Sequence, residues 1–432
     1  MDTREVPVLS DADRPFVEQL AAGLGENAAR VLAYLVLLAE QFPDEPPPSA
    51  PIVQLGTGLN RSRVRDGLST LSERELVTET TARTTTSGRP PNAWYTTASR
   101  DAAARTAYDR HGRALLAQGR GVCAREGATG EDASTSRGET ETASEDDRRV
   151  TVGLNWHPNG LQLPLFAALV DGAYDRRDVS ISLEEYRGSA RAIEAVVAGE
   201  ADVAIAGAAS ILRARADGDP IAPIAVCFQR PMVVFYTTRD GFGEPLETVG
   251  QLRGRRVGMP PESETGLLGR LYLSQAGVLE DVDCVDLRGE ESEPLRSGAA
   301  DVVTGTFADP IRLEDDGMTV DSIHVADQYP IYGPALVARE SAWERRSALL
   351  ESFLAGTVAG WALAVSEPEP AARAVSRRTD QSAAWVERVF ERAADRFGTT
   401  DAVRKHGWGW QSAETWERLA QALEQVDVGV EA

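Results

Sequence analysis

A short apolar segment ends in side chains that can bind a flat, nitrogen-containing ligand. Residues 150–154 have the β-branched, apolar pattern of a strand, and Asn155, Trp156 and His157 follow it directly. In open α/β sheets, ligands bind just beyond the carboxyl ends of the strands. A carboxamide presents a donor beside an acceptor, an indole offers a stacking face, and an imidazole adds a polar group. This combination predicts a site for a small planar heterocycle.

A second group of side chains, near the amino terminus, carries the charge that DNA binding requires. Three arginines fall within five positions at the start of a helix predicted from about residue 60, and two more lie in a Thr-rich hairpin pattern. In an ordinary protein, such arginines form a solvated helix face. In a chain this acidic, we interpret them as contacts to DNA. The predicted DNA-binding residues are Asn60, Arg61, Arg63, Arg65, Arg83 and Arg89.

The charge of the chain is strongly acidic but unevenly distributed. Its 432 residues have a formal net charge of −22 and Lys405 is the only lysine, a composition that resembles proteins of salt-accumulating halophiles. Residues 1–120 contain 15 Asp and Glu against 14 Arg, so this segment has a net charge of −1 and the remainder −21. Because DNA affinity depends on local cations, the nearly neutral segment is where DNA binding is expected.

The elements that position these arginines follow the order of a winged helix-turn-helix. Hydrophobic periodicity predicts a series of helices, interrupted by a proline-rich break before the third. The hairpin comes after the fourth helix, and the last helix is a candidate dimerisation arm. We therefore predict a winged helix-turn-helix domain over residues 1–120. The predicted helices cover residues 11–24, 26–42, 52–55, a stretch from about 60, and about 98–118.

The rest of the chain divides into a linker and an α/β domain. Residues 121–148 are polar and acidic, and they are predicted to be a flexible linker because they cannot bury enough apolar surface to fold alone. From residue 150 onward, strand and helix patterns alternate, and the chain is helical from about residue 343. This alternation predicts a two-lobed α/β ligand-binding domain over residues 149–432.

Three motifs carry a resemblance to a known family. The segment 188–207 (GSARAIEAVVAGEADVAIAG) resembles type 2 periplasmic-binding-protein-like domains. Within that superfamily, LNWHPN at 154–159 is similar to a signature of the thiamine-pyrimidine group, which includes bacterial receptors and a fungal synthase. The segment 407–425 resembles the terminal Trp-bearing helix of that group. Receptors for sulfonates and nitrate share the same scaffold, so they remain alternatives.

The resemblance implies a set of ligand contacts. Asn155 would complement the edge of an aminopyrimidine, as Asn complements adenine, and Trp156 would stack on the ring. Structural alternatives remain open: the indole as a core side chain, the turn 207–210 as tight packing, and Asp309 and Thr265 as helix caps. The implied ligand-binding residues are Asn155, Trp156, His157, Asn159, Gln162, Ser210, Glu264, Thr265, Asp309 and Tyr332.

Departures from the family pattern argue against catalysis. The resemblance to the fungal synthase implies a lysine that binds pyridoxal phosphate, an active-site histidine and a cysteine-rich run. Residues 186–200 contain neither Lys nor His, and Cys227 stands alone. The three cysteines and four histidines are dispersed along the chain. We therefore expect no catalytic residue, no metal and no cofactor.

The expected function is that of a cytoplasmic transcriptional regulator that binds operator DNA as a homodimer and senses a thiamine pyrimidine precursor. The first residues lack the apolar core of a signal peptide, and no run of about 18 apolar residues predicts a membrane span. Two alternatives remain. One is a synthase-like enzyme, and the other is a solute receptor that delivers its ligand to an ABC transporter.

Overall fold

A computed structural model describes residues 7–82, 90–123, 146–261, 263–287 and 292–430 of the chain. Its amino-terminal part is helical and contains one short antiparallel hairpin among the described residues. The elements are α1 (Arg14–Leu24), α2 (Glu26–Gln41), α3 (Ala50–Thr57), α4 (Arg61–Glu73), β1 (Thr78–Thr81), β2 (Asn92–Tyr95) and α5 (Arg100–Cys123).

Local sequence explains where α3 and α4 begin and end. α3 ends at Gly58, whose φ of 69° lies in the left-handed region that glycine adopts without strain. Asn60 caps α4, because its side chain accepts a hydrogen bond from the Arg63 N–H at 3.0 Å. Ser49 forms an isolated bridge to Ala93, which adds a short extended segment beside the hairpin. The predicted order of elements is confirmed for this region.

The carboxy-terminal part contains two five-stranded sheets. The strands are β3 (Arg149–Leu154), β4 (Ser180–Glu185), β5 (Val203–Ala206), β6 (Ile221–Val226), β7 (Val233–Thr238), β8 (Arg256–Met259), β9 (Asp283–Asp286), β10 (Val302–Thr306), β11 (Val320–His324) and β12 (Ala335–Arg339). The first sheet has the order β4-β3-β5-β12-β6 and the second β11-β7-β10-β8-β9. The chain crosses between them after β6 and after β11, so each sheet forms the core of one lobe. The predicted two-lobed α/β fold is confirmed.

Helices cover both sheets. Short 3₁₀ turns and one π-helical turn lie between these helices and strands along the chain. The helices are α6 (Leu163–Asp171), α7 (Ser189–Ala198), α8 (Ala208–Ala216), α9 (Arg239–Phe242), α10 (Glu264–Gln275), α11 (Glu293–Ser297), α12 (Ala308–Asp315), α13 (Glu340–Arg345), α14 (Ser347–Ser366), α15 (Pro368–Ser376), α16 (Ala383–Ala393), α17 (Asp401–His406) and α18 (Ala413–Val430).

α14 is a core helix of the fold. Its length and apolar composition alone would allow it to cross a membrane, but 67% of its apolar window is buried inside the protein. Two glycines allow close approach by its neighbours: a Cβ at Gly356 would lie 2.4 Å from the Tyr174 ring, and one at Gly360 would lie 2.0 Å from the Pro164 carbonyl oxygen. The apolar sequence of α14 is therefore explained by helix packing.

α5 joins the amino-terminal helices to the first lobe. A Cβ at Gly112 would lie 2.5 Å from the Glu351 carbonyl oxygen of α14, and one at Gly119 would lie 2.6 Å from the Pro223 carbonyl oxygen of β6. The face of α5 that carries these glycines is thus buried within the chain. The sequence predicts this helix as a candidate dimerisation arm, and this face is not available for that role. α5 also extends to Cys123, past the predicted start of the linker, whereas residues 124–145 lie outside the described residues.

His111 of α5 lies at the contact between the amino-terminal helices and the segment around Trp408. Its Nε2 donates to the Trp408 carbonyl oxygen at 2.6 Å, and its Nδ1 lies 3.4 Å from the Arg74 guanidinium. The side chain is 1% exposed. Burial, with the nearby Arg74 charge adding to it, lowers the pKa of His111 to about 3. The imidazole is therefore neutral at the junction.

Replacing His111 with Gln should flatten the acid dependence of stability. Between pH 6.5 and about 3, the unfolded chain binds a proton at His111 that the folded chain does not, so the free energy of unfolding falls as the pH is lowered through this window. One such group contributes up to roughly 1.4 kcal/mol per pH unit. Urea unfolding at several pH values measures this slope. Equal slopes for the wild type and H111Q would contradict a neutral, buried His111.

Candidate functional site

The site lies where the carboxyl ends of β3 and β5 meet. These strands are parallel neighbours, and open α/β sheets bind ligands in a crevice at the carboxyl ends of such strands. Asn155 follows β3, and Gly207 follows β5. The Ser189 hydroxyl connects them, because it accepts from the Gly207 N–H at 3.0 Å and lies 3.4 Å from the Asn155 amide nitrogen. Ser189 was not predicted; its position after Gly188, at the start of a helix, was the available signal.

Trp156 and His157 stand at the mouth of this crevice. The Trp156 side chain is 50% exposed, the Trp156 and His157 ring centroids are 5.8 Å apart, and the rings meet edge to face. The His157 Nδ1 lies 2.6 Å from a carboxylate oxygen of Glu185, the last residue of β4. The Glu185 contact orients the imidazole, and the indole keeps a free area that a planar ligand can cover.

Asn159 and Gln162 form a local helix cap. The Asn159 side chain accepts from the Leu161 N–H at 2.9 Å, and the Gln162 side chain accepts from the Asn159 N–H at 2.9 Å. Gln162 is 2% exposed. This reciprocal pair fixes the turn that carries Trp156, and the Asn-x-x-Gln spacing was its sequence signal. Their predicted contact with the ligand stays a prediction.

Glu264 joins the two lobes across the crevice. It is the first residue of α10, and its carboxylate accepts from the Ser210 N–H at 2.8 Å and from the Ser210 hydroxyl at 2.7 Å. A third hydrogen bond comes from the Ala209 N–H at 3.0 Å. Thr265 is 8% exposed, and its hydroxyl lies 2.8 Å from that of Ser263, which caps α10. The structure thus brings together Ser210 and Glu264, which we had assigned as separate ligand contacts.

Asp309 and Tyr332 have structural partners. The Asp309 carboxylate accepts from the Thr306 N–H at 2.6 Å and from the Thr306 hydroxyl at 2.9 Å, so it stabilises the turn after β10. The Tyr332 hydroxyl accepts from the Ser412 N–H at 2.8 Å, and its ring centroid lies 5.2 Å from that of Trp416. These contacts fix the crossing between the lobes. A role for either residue at the ligand stays a prediction.

The predicted DNA-binding residues of α4 lie on the surface. Arg61, Arg63 and Arg65 are exposed, and the Arg65 guanidinium lies 3.7 Å from the Asp66 carboxylate. Asn60 is used as the cap of α4. Arg83 and Arg89 lie outside the described residues. The arginines in the first turns of α4 are therefore available to an external partner.

The donor set of the crevice suits hydrogen bonding and stacking. Within the ranges that the structure describes, no group of three or more His, Cys, Asp or Glu side chains is placed to hold a metal ion. Cys227, after β6, is partly buried, and burial raises the pKa of its thiol, which keeps it protonated at neutral pH. The geometry offers an amide and an indole for a small ligand.

Residues 160–371 match the family model described as NMT1/THI5 like. We name the carboxy-terminal part, which contains this match, the NMT1/THI5-like domain. The chain is 24% identical to the formylaminopyrimidine-binding protein of Halalkalibacterium halodurans, over 67% of this chain and 89% of the relative. It is 22% identical to a riboflavin-binding protein of Chloroflexus aurantiacus, over 64% of this chain and 80% of the relative.

A solved structure shows the same fold as the NMT1/THI5-like domain. It is the periplasmic aliphatic sulphonate binding protein of Escherichia coli, which matches with a TM-score of 0.53 and 16% sequence identity. The match covers 65% of this chain and 93% of that protein. The NMT1/THI5-like domain therefore has this two-lobed fold, and the amino-terminal helices pack against its first lobe.

Proposed function

We propose that the protein is a cytoplasmic, ligand-responsive transcriptional regulator. In this proposal, the amino-terminal region is a winged helix-turn-helix that binds operator DNA, and the protein acts as a homodimer. The NMT1/THI5-like domain binds a thiamine pyrimidine precursor. Closure of its lobes on the ligand changes the DNA affinity, which requires that the ligand binds the open and closed forms unequally.

The composition of the crevice supports a pyrimidine ligand. Asn155 and Trp156 offer one hydrogen-bonding edge and one stacking face at the end of β3, and the similarity to a formylaminopyrimidine-binding protein supports the same ligand class. We propose binding without catalysis, because residues 186–200 supply neither of the residue types that a synthase would need there.

The arrangement of the amino-terminal elements supports DNA binding. α3 and α4 are joined by a short turn at Gly58, and the hairpin with its extra bridge from Ser49 follows α4. This order corresponds to a winged helix-turn-helix in which α4 is the recognition helix. The exposed arginines of α4 lie at its amino-terminal end, the part that contacts bases in such domains.

The observation that carries the proposal is that both regions share one hydrophobic core. Buried residues of α1, α2 and α5 belong to the same contiguous cluster as those of β3, α6 and α14. The amino-terminal helices are therefore fixed to the first lobe. A regulator needs such a rigid connection, because a tethered but separate DNA-binding domain would not respond to lobe closure.

Binding experiments on the full chain test the proposal. Calorimetry with formylaminopyrimidine and hydroxymethylpyrimidine should show saturable binding, and selection from random duplexes should yield a preferred DNA sequence. The pyrimidine should then change the affinity for that sequence by about 5-fold or more, the usual range of allosteric coupling. Binding of a sulfonate but not of a pyrimidine would reassign the ligand. Absence of any DNA selection would refute the regulator.

Replacing Trp156 with Ala should weaken pyrimidine binding by about 10-fold or more, because stacking of a heterocycle on an aromatic side chain contributes roughly 1–3 kcal/mol. The half-exposed indole contributes little to the core, so the thermal stability of W156A should change little. W156F keeps a stacking face and serves as the matched control. Equal affinities of W156A and the wild type would place the ligand elsewhere.

A further inference from the structure

Glu264 places a partly buried carboxylate of one lobe at the start of a helix of the other lobe. Its two oxygens accept three hydrogen bonds from Ala209 and Ser210, at 2.7–3.0 Å, in the first turn of α8. The Ser210 side chain is 8% exposed. A helix amino terminus, with free N–H groups and the positive end of the helix dipole, favours an anion. Here the chain itself supplies that anion.

The backbone near Glu264 is shaped to admit this carboxylate. A Cβ at Gly207 would lie 2.1 Å from the Glu264 carboxyl carbon, so only glycine leaves room for it. A Cβ at Gly266 would lie 1.8 Å from the Pro260 carbonyl oxygen, so glycine also allows α10 to start close to the loop after β8. Gly207 in one lobe and Gly266 in the other thus both make room for the contact of Glu264 with α8.

The electrostatic consequence concerns any ligand that enters the crevice. Burial raises the pKa of the Glu264 carboxyl, and the three donated hydrogen bonds oppose this rise. A ligand anion close to a carboxylate in a buried site is repelled more strongly than in water, because the screening is weaker. It also finds the N–H groups of α8 already used.

We propose that Glu264 sets the charge selectivity of the crevice. Its carboxylate occupies the anion position at the amino end of α8, so the crevice accepts neutral or cationic ligands and rejects anions such as sulfonates and phosphate esters. This inference deepens the proposed function. It rests on that function in one respect only, namely that the crevice binds a small ligand. The crevice therefore accepts a neutral pyrimidine and rejects its phosphorylated form.

Removal of the Glu264 side chain should open the anion position to an external anion. Sodium formate should raise the melting temperature of E264A by about 3 °C or more above the value in sodium chloride at equal ionic strength, because a ligand that binds the folded state stabilises it. Propanesulfonate should do the same. If E264A does not fold in chloride, refolding in formate should restore it.

Three controls make the result specific. The wild type and E264Q should show no difference between formate and chloride, since a carboxylate or a carboxamide still fills the position. E293A removes a glutamate that is also the first residue of a helix but is exposed, and it should behave like the wild type. The proposal would be overturned if formate gave a folded E264A the same melting temperature as chloride. It would also be overturned if formate failed to restore an E264A that does not fold in chloride. Titration of the wild type with pyrimidine is independent of these measurements, so failure of the proposed ligand is distinguishable from failure of this inference.

Discussion

Replacing Arg61, Arg63 and Arg65 together with Ala should weaken the affinity of the protein for duplex DNA by roughly 100-fold, since each lost contact to a phosphate or base contributes about 1 kcal/mol or more. The side chains are exposed, so their loss removes charge from the surface without creating a cavity. The effect is expected to be large because the rest of the chain is acidic: with a net charge of −22, the protein has little other attraction to DNA.

Fluorescence anisotropy with a short random-sequence duplex at several salt concentrations measures this loss. The salt dependence should become shallower by about one counterion for each phosphate contact removed. The matched control replaces Arg191, Arg373 and Arg418, which are also exposed but are paired with glutamates on helices of the NMT1/THI5-like domain. If both triple variants bind DNA equally well, α4 is not the DNA-binding helix.

Features that depend on neighbouring residues were predictable from the sequence. The start of α4 follows from the ability of Asn60 to cap it, and the strand before Asn155 follows from its alternating apolar pattern. Asn159 and Gln162 also form a local motif, because three residues separate the two members of a capping pair. The resemblance had directed attention to their contact with a ligand, although their spacing already indicated a cap.

Features that depend on the closure of distant segments were not predictable. Glu264 and Ser210 were both assigned to the crevice, but their mutual contact requires the relative position of two lobes, which no local pattern specifies. The same holds for α5. Its glycines have low helical propensity, so the sequence gives no reason for them. The structure gives the reason: they allow the backbones of α14 and β6 to lie close to α5.

The segment around Trp408 contacts the lobe crossing and the amino-terminal helices at once. The Trp408 indole donates to the Cys227 carbonyl oxygen at 3.2 Å, where the chain leaves the first lobe, and its backbone N–H donates to the Ala22 carbonyl oxygen of α1 at 2.8 Å. His111 binds its carbonyl oxygen, and Arg74, directly after α4, lies beside His111. A short chain of hydrogen bonds thus connects the crossing to the end of α4, and we propose that it couples the two regions.

Replacing Gly407 with Ala should disrupt this connection and lower the free energy of unfolding by about 2–3 kcal/mol more than the same change at Gly218. Both glycines have a φ of +98°, so alanine is strained at each. At Gly218 the added Cβ meets no atom within 4 Å, whereas at Gly407 it would lie 2.8 Å from the Ala22 carbonyl oxygen and 3.1 Å from the His111 ring. The excess therefore measures the contact between the two regions, including the hydrogen bonds of Trp408, at about 1 kcal/mol each.

Chemical unfolding of G407A and G218A gives this difference, and DNA binding gives its consequence. Because the Cβ added at Gly407 would meet Ala22, Gly23 and His111 of the amino-terminal helices, G407A should still bind pyrimidine, but the ligand should no longer change its affinity for DNA. G218A should keep the full ligand effect. Equal stabilities of the two variants would show that the close approach at Gly407 is relieved without cost. A ligand effect that persists in a destabilised G407A would show that lobe closure reaches α4 by another path, and the packing of α5 on α14 and β6 offers such a direct connection.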